Sequence, residues 1–235
     1  VISEFSKLPA ENAREKFNLG NDSRDWQVEL AQADLRQAQL DYDQPDKITY
    51  RPFDDRFTYY TGRSRGFHSM PRPAVMGHMR RENLALIASR MSKGEPFAHI
   101  FATRFISEKI LLSAKTSINS FHFPLYLYST AKADLFDDST AGGRRPNLSP
   151  EFIADFSERL QLNFVQDGCG DLKNTYGPED VVHYAYAVFH SPTYRSRYAE
   201  FLKGDFPRLP LTRDVALFRS LCALGKELVA LHLME

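Results

Sequence analysis

Basic side chains concentrate in one part of the chain, where they suit contact with anions. Residues 51–120 carry 12 basic and 5 acidic residues, against 6 and 10 in residues 1–50, 5 and 10 in 121–180, and 7 and 5 in 181–235. Nine of the twelve are arginine, whose planar fork donates two hydrogen bonds to a phosphate or a guanine edge. The net charge of zero therefore hides a segment suited to a nucleic acid or to an acidic protein surface.

The first candidates for such contacts are Arg63, Arg65 and His68, in a predicted loop that two glycines flank. Short residues beside them would let the backbone approach phosphates closely. Further candidates occur in predicted turns and polar stretches: Arg80, Arg81, Lys93, Lys109, Lys115 and Asn119.

Catalytic motifs are missing from the sequence. It has no Gly-rich phosphate loop, no dinucleotide fingerprint and no nucleophile elbow. A small hydrolase would need Cys169 as nucleophile or the Asp54–Asp55 pair as metal ligands. We favour an inert loop cysteine, and a turn in which these carboxylates pair with Arg51 or Arg56. Because no two of the seven histidines have metal-ligand spacing, we predict neither a catalytic residue nor a metal site in this chain.

The composition predicts a soluble protein without a membrane partner. No apolar run approaches the roughly 18 residues that a membrane span needs. Two cysteines are too few for a disulfide framework, so a reducing cytoplasm is the expected location. The first residue, Val1, is followed by no signal-peptide pattern and suggests an excised fragment.

The predicted secondary structure divides the chain into three parts: a helical lead-in, a β-rich part and a helical C-terminal part. Residues 1–46 are expected to form a short helical lead-in, with Pro9 starting one helix and Ser23 capping another that buries Trp26, Leu30 and Ala33. Residues 47–130 are predicted to be mostly β, beginning with a hairpin that turns at 52–55. Further strands are predicted at Leu84–Arg90, Ala98–Phe105, Lys109–Ser113 and His122–Tyr128.

Helical signals dominate residues 148–235, after an exposed loop expected at Asp134–Arg145. Ser149-Pro150 and Ser191-Pro192 are typical helix starts, and the helix from Pro178 is apolar all round and so should be buried. The last helix should open at Thr212 and Asp214. It carries a seam of leucines that we expect to pack in the core, with partner docking as the alternative: Leu217, Leu221, Leu224, Leu228 and Leu231. The fold class is therefore α+β, with the β-rich part packed against the helical part.

Several runs occur in an order that resembles one known family. They are Ser23-Arg24-Asp25-Trp26, residues 50–60 (YRPFDDRFTYY), residues 123–128 (FPLYLY), residues 184–195 (YAYAVFHSPTYR) and residues 206–210 (FPRLP). In this order they are similar to the C-terminal target-recognition, or specificity, domain of type ISP single-polypeptide restriction-modification enzymes. The resemblance spans nearly the whole chain.

The resemblance implies a role in double-stranded DNA recognition, without catalysis by this chain. In that family the polypeptide also carries a nuclease, a helicase-like ATPase, a coupler and an adenine-N6 methyltransferase. It thus implies S-adenosylmethionine, ATP and Mg²⁺ for other domains, and no cofactor here. Residues 1–46 would lead in from the methyltransferase region, and residues 47–235 would recognise the target and deliver its adenine to that partner domain.

The quoted motifs imply fold or docking elements rather than base readers. The residues concerned are Tyr50, Arg51, Pro52, Phe53, Asp54, Arg56, Tyr59, Tyr60, Pro207, Arg208 and Pro210. Arg63 and Arg65 are expected to contact phosphates, and residues 107–119 to contact bases, since reading a base needs a side chain projected into a groove. The alternatives are a module that docks an acidic partner protein and, less favoured, the small hydrolase.

Overall fold

The computed structural model describes residues 1–38, 41, 43–113, 115–116, 118–129 and 143–235. Its helices are α1 (Ile2–Lys7), α2 (Ala10–Lys16), α3 (Val28–Gln37), α4 (Pro73–Met76), α5 (Pro150–Leu160), α6 (Pro178–His190), α7 (Pro192–Arg197) and α8 (Val215–Leu233). Its strands are β1 (Asp46–Arg51), β2 (Asp54–Thr58), β3 (Ala85–Ala88), β4 (Ile100–Thr103), β5 (Ile106–Ser107), β6 (Phe121–Pro124), β7 (Tyr126–Tyr128), β8 (Arg144–Pro146), β9 (Asn163–Phe164) and β10 (Thr175–Tyr176). The α+β prediction is confirmed.

The lead-in helices α1 to α3 pack around a small core of their own. Its buried residues are Phe5, Ala13, Val28, Ala31 and Leu35. The buried Gln32 side chain donates to the carbonyls of Phe5 at 2.7 Å and Leu8 at 3.0 Å, which ties α3 to the end of α1. The division of the chain at residue 46 into a lead-in and a recognition domain stays a prediction.

The prediction that Ser23 caps α3 is wrong. The helix begins at Val28, whose N–H donates to the Asp22 carboxylate at 3.0 Å. The Ser23 hydroxyl instead accepts from the N–H of Trp26 at 3.0 Å, in a turn that precedes the helix. The buried face of α3 is formed by Val28, Ala31, Gln32, Asp34 and Leu35, and Leu30, which the sequence placed on one face with Trp26 and Ala33, is 43% exposed.

Two three-stranded sheets form the β-rich part. In the first, β1 pairs antiparallel with β2 and parallel with β5; in the second, β3 pairs antiparallel with β4 and β6. The predicted hairpin is confirmed, but its turn is Pro52–Phe53, where Phe53 has φ 63°, and Asp54 and Asp55 already belong to β2. The predicted strands at 84–90 and 98–105 are confirmed as β3 and β4.

The strand predicted at Lys109–Ser113 does not form. The N–H of Ile110 donates to the Glu108 carboxylate at 2.7 Å, and the N–H of Leu112 donates to the Ser120 hydroxyl at 3.2 Å. Because side chains of the same segment take these donors, they are not available for pairing with a neighbouring strand. The prediction missed this local competition.

The strand predicted at His122–Tyr128 is divided into β6 and β7, which pair with different partners. Pro124, at the break, has no N–H to donate to a ladder. The N–H of Tyr126 donates to the side-chain oxygen of Asn83 at 3.1 Å. The buried Asn83 thus replaces strand pairing at the point where the chain leaves the second sheet.

The helix starts predicted in the C-terminal part are confirmed. Ser149 and Ser191 accept hydrogen bonds from the backbone N–H groups of Phe152 and Tyr194, at 3.2 and 3.4 Å, and so cap α5 and α7. Helix α6 is buried over most of its length, as its sequence predicted. Helix α7 ends at Arg197, and Leu202, further along the chain, is fully buried.

The leucine seam of α8 packs in the core only in part. Leu221 and Leu228 are partly buried against the core, but the fully buried face is formed by Phe218, Cys222, Gly225 and Val229. Gly225 lies so close to α6 that an added Cβ would be 1.8 Å from the carbonyl oxygen of His183. On the other side Leu217, Leu224 and Leu231 are 47%, 59% and 68% exposed. The close approach at one glycine therefore decided which face of α8 is inside.

One hydrophobic core joins the β-rich and helical parts. It combines strand residues such as Ala88 and Ile100 with Phe156 of α5, Tyr186 of α6 and Phe218 of α8. The loop expected at Asp134–Arg145 lies mostly outside the described residues, and its last two residues, Arg144 and Arg145, belong to β8 rather than to a loop.

Candidate nucleic-acid interface

The loop that follows β2 is organised by one buried carboxylate. Asp34 of α3, 2% exposed, accepts hydrogen bonds from the Thr61 hydroxyl at 2.6 Å and the Phe67 N–H at 2.8 Å. Gly66 passes so close that an added Cβ would lie 2.1 Å from an Asp34 carboxylate oxygen. The lead-in helices therefore fix the path of residues 61–67 through Asp34, a role that no sequence pattern indicated.

The two arginines of this loop differ in their contacts with other side chains. Arg63 lies 3.7 Å from the Asp34 carboxylate and donates to the side chain of Gln37. Arg65 is exposed, and its backbone is held at φ 55° while its N–H donates to the carbonyl of Ser69 at 3.0 Å. Its guanidinium has no ion pair with a described residue. Arg65 is thus the better placed to meet an external anion.

His68 faces the interior rather than solvent. Its Nε2 lies 3.0 Å from the Thr58 hydroxyl, and its Nδ1 is buried without a hydrogen-bond partner. Burial lowers the pKa of the imidazole, so the neutral form predominates at neutral pH. His68 cannot serve as a surface cation, but other atoms of the residue line a cavity.

This cavity, of about 210 Å³, brings the loop together with the segment that follows β5. The loop contributes residues 68–72, and the other side contributes Ser107, Glu108, Lys109, Ser120 and His122. The Ser107 hydroxyl and the His122 Nε2 are hydrogen-bonded. The structure therefore joins the predicted phosphate-contacting loop and described residues of the predicted base-reading segment at one concave surface, here called the loop surface (residues 61–72, 107–113, 115–116 and 118–120).

Arg72 is a basic residue of the loop surface that the sequence interpretation did not select. It lies at the edge of the cavity with φ 49°, is exposed, and has no ion pair with a described residue. The signal was present in Pro71-Arg72-Pro73, where two prolines hold an arginine in place. Lys109, which was selected, lines the same cavity and is exposed.

Arg80 and Arg81 line a second concavity rather than the first one. Arg80 donates to the Asp46 carboxylate at 2.9 Å, and the Arg81 guanidinium lies 5.0 Å from the centre of the Tyr128 ring. Arg80 is therefore already paired with an acid.

Lys93, Lys115 and Asn119 border a cluster of hydrogen bonds around Glu95. The Glu95 carboxylate accepts from the hydroxyls of Ser113, at 2.7 Å, and Thr116, while the Lys93 ammonium donates to the Thr116 carbonyl at 3.0 Å. Lys115 and Asn119 are exposed on the same segment. Glu95 thus positions Ser113 and Thr116 from the turn between β3 and β4.

The hairpin motif at residues 50–60 is held together by its own charged groups. The guanidinium carbons of Arg51 and Arg56 lie 4.1 and 3.9 Å from the centre of the Tyr50 ring. Arg56 also binds both oxygens of Asp54, as expected, and lowers the pKa of that carboxyl group. Arg51 reaches the Glu108 carboxylate at 2.7 Å, which links the hairpin to the loop surface.

The rest of this motif makes contacts within the fold. Phe53, beside the exposed Pro52, packs edge-on against Phe101 and His232, and Tyr59 packs on the lead-in core. The buried Tyr60 hydroxyl donates to the Pro71 carbonyl at 2.7 Å, and burial raises its pKa to about 12. This bond fixes the base of the arginine-bearing loop.

Two tyrosine hydroxyls donate hydrogen bonds to backbone carbonyls of the downstream motif at residues 206–210. Tyr194 donates to the carbonyl of Arg208 at 2.8 Å, and Tyr184 to that of Pro210 at 2.6 Å, so Pro207 lies in a strap across α6 and α7. The Arg208 guanidinium lies over the Phe201 ring at 4.8 Å. These contacts suit the structural role that the sequence suggested.

Features that the hydrolase alternative would use are engaged in other contacts. Burial raises the pKa of the Cys169 thiol to about 12, and its sulfur lies 3.5 Å from Glu179. Cys169, Asp180 and His183 form a group with ligand atoms within 4.8 Å of one another. Asp180, however, already accepts from the N–H groups of Gly170 and Gly177 at 2.6 and 2.8 Å. The absence of a metal site therefore stays a prediction.

A family model described as the Type ISP C-terminal specificity domain matches residues 1–235. The chain belongs to this family. Its specificity-domain fold is also found in solved structures, each of which matches 99% of the chain. One is a DrdV–DNA complex solved by cryo-electron microscopy, with 26% identity and a TM-score of 0.61 over 20% of that protein.

Two further structures share the fold at lower identity. The ATP-dependent Type ISP restriction-modification enzyme LlaBIII bound to DNA has 22% identity and a TM-score of 0.60, and a nuclease-deletion mutant of the Type ISP enzyme LlaGI with a DNA substrate mimic has 20% and 0.55. The chain spans 13% and 16% of their lengths. No match emerged among curated proteins. In the described part of this specificity domain, no helix is long and apolar enough to cross a membrane.

Proposed function

We propose that this specificity domain recognises a target sequence in double-stranded DNA through the loop surface. The observation that carries the proposal is the meeting of two basic segments at one cavity, with Arg65, Arg72 and Lys109 exposed around it. A cationic surface of this kind supplies phosphate contacts. Family membership supports the same role, because DrdV, LlaBIII and LlaGI are solved in complex with DNA or a DNA mimic.

We further propose that the domain positions the target adenine for an adenine-N6 methyltransferase domain of the same polypeptide. A methyltransferase must take its base out of the stack, so another domain has to hold the duplex meanwhile. S-adenosylmethionine, ATP and Mg²⁺ would be bound by other domains, and this chain would have no catalytic activity of its own. The cytoplasmic location stays a prediction.

Within the surface, phosphate contact and base reading fall to different segments. Arg65 and Arg72 belong to a loop whose backbone is pinned, which suits contact with the phosphate path. In the second segment, Glu108, Ser120 and Glu95 hold Ile110, Leu112, Ser113 and Thr116 in place, so Lys115 and Asn119 are presented from a fixed backbone. We propose that this second segment reads bases, because side chains need a firm support to reach a groove edge.

The test is the salt dependence of duplex binding by the protein at its natural full length. Arg65→Ala combined with Arg63→Ala should weaken binding to cognate and unrelated duplexes alike, and reduce the salt slope by about one per lost phosphate contact. Because Arg63 is paired with Asp34, the Arg65→Ala variant alone should account for most of the change. Arg213→Ala, an exposed arginine at the start of α8 outside the loop surface, is the matched control.

Exchange of residues 107–119 for those of a family member with another target should change the preferred sequence and keep nonspecific affinity. If the double arginine variant binds every duplex as well as the parent does, the DNA surface lies elsewhere and docking of an acidic protein becomes the better explanation. Hydrolytic turnover by the isolated chain that disappears in Cys169→Ala or Asp54→Asn would favour the hydrolase instead.

A further inference from the structure

The cavity of the loop surface has the construction of a small binding site. Its floor is apolar, formed by Ile48 of β1, Ile106 of β5 and Met76 of α4, with the Tyr60 ring beside them. Its volume of about 210 Å³ is below the roughly 300–1,000 Å³ of pockets for drug-sized ligands. The space suits one flat heterocycle rather than a peptide or a larger metabolite.

Neutral polar groups line the same cavity. The Nε2 of His68 lies 3.0 Å from the Thr58 hydroxyl, and the Ser107 hydroxyl is hydrogen-bonded to the Nε2 of His122. Burial and then the nearby Arg72 lower the pKa of His122 to about 4, so neither imidazole brings a charge into the cavity.

The cations stand at the edge of the cavity, not inside it. Arg72 and Lys109 are exposed, line the cavity from its two opposite segments, and have no ion pair with a described residue. Met70, 55% exposed, lies between Arg65 and Arg72 on the same loop. The Glu108 carboxylate in the lining is paired with Arg51 at 2.7 Å. A lining without an unpaired acid, with two cations at the opening, matches a nucleotide, whose ring is neutral and whose phosphates are anionic.

We infer that this cavity receives one nucleobase displaced from the duplex, while Arg72 and Lys109 contact the phosphates that flank it. The inference rests on the proposed function, since removal of the adenine from the helix leaves its partner base unpaired. An unpaired base is the cheapest to extrude because no pairing energy has to be broken. Tyr60 and His68 offer ring surfaces to it, and Met70 is placed to contact the bases that remain stacked.

The experiment compares three duplexes of one sequence with the protein at its natural full length. One duplex is fully paired, one has a single bulged nucleotide, and one has the same bulge without its base. We expect the bulged duplex to bind about tenfold more tightly than the other two, because the protein no longer has to extrude a base at a cost of a few kcal/mol. The abasic bulge keeps the irregular backbone but has no base, so a comparison of the two bulged duplexes distinguishes capture of a base from preference for a bent duplex.

Ser69→Phe, which places a ring at the cavity wall, should remove this preference, so that the variant binds the bulged and abasic duplexes with equal affinity. Ser64→Phe, in the same loop but outside the cavity, should keep the preference. Equal affinity of the parent for the bulged and abasic duplexes would overturn the inference, and leave the proposed function standing if the paired duplex still binds. Failure to bind any duplex would overturn both.

Discussion

The α6–α8 layer and the loop surface are stabilised in opposite ways. In the layer, backbones approach closely at Gly225, and apolar side chains fill the space between helices. In the loop surface, three carboxylates, Asp34, Glu95 and Glu108, gather backbone and hydroxyl donors, and the exposed side chains take little part. Exposed residues of the surface can therefore change without loss of the fold, whereas residues of the layer cannot. A recognition module that must vary its target needs such a division.

The largest expected effect follows from Gly225→Ala. The added Cβ would lie 1.8 Å from the His183 carbonyl oxygen. Helix α8 therefore has to move away from α6, and the close packing of the two helices at this position is lost. Overpacking of this kind costs about 3 kcal/mol or more when backbone is the obstacle. Chemical denaturation measures the loss in the free energy of unfolding. Gly204→Ala is the control, since an added Cβ there meets nothing within 4 Å; equal effects of the two variants would mean that the layer is not tightly packed.

A smaller effect is expected from Asp34→Ala, which removes the acceptor that organises the loop. The Thr61 hydroxyl and the Phe67 N–H would lose their partner, at a cost of about 1–3 kcal/mol. Duplex affinity should also fall, because Arg63 and Arg65 would no longer be held in place. Thermal unfolding and salt-dependent binding measure the two consequences. Asp25→Ala, an exposed acid that pairs only with the neighbouring Arg24, should change neither. Full duplex affinity in Asp34→Ala would contradict a role for this loop.

The smallest effect is expected from Tyr194→Phe, which removes one hydrogen bond to the strap at residues 206–210. The loss of the bond to the Arg208 carbonyl should lower the free energy of unfolding by about 1 kcal/mol and leave duplex affinity unchanged. Tyr198→Phe, at a tyrosine that is 38% exposed, is the control. A drop in duplex affinity without a drop in stability would place the strap on the DNA side and remove the contrast between the two regions.

The helix starts and the first hairpin could be predicted because each depends on neighbours in the chain. Ser149-Pro150 fixes a cap within four residues, and the alternation at Ile48 and Tyr50 needs only one strand. The strand predicted at Lys109–Ser113 failed because the acceptors that compete with it, Glu108 and Ser120, act only once the segment folds back on itself. The predicted strand does not form because side-chain acceptors, rather than a neighbouring strand, bind its backbone N–H groups.

For the candidate site too, some properties follow from the sequence and others only from the tertiary structure. The sequence alone determined that arginines concentrate in residues 51–120 and that no catalytic motif accompanies them, because charge and residue type are properties of the chain. Only the tertiary structure decided that Arg65 is exposed while Arg63 is paired, that His68 is buried, and that Arg72 lies beside Lys109. These facts depend on Asp34 and on the first sheet, which bring residues far apart in sequence into contact, and no spacing along the chain encodes such a distance.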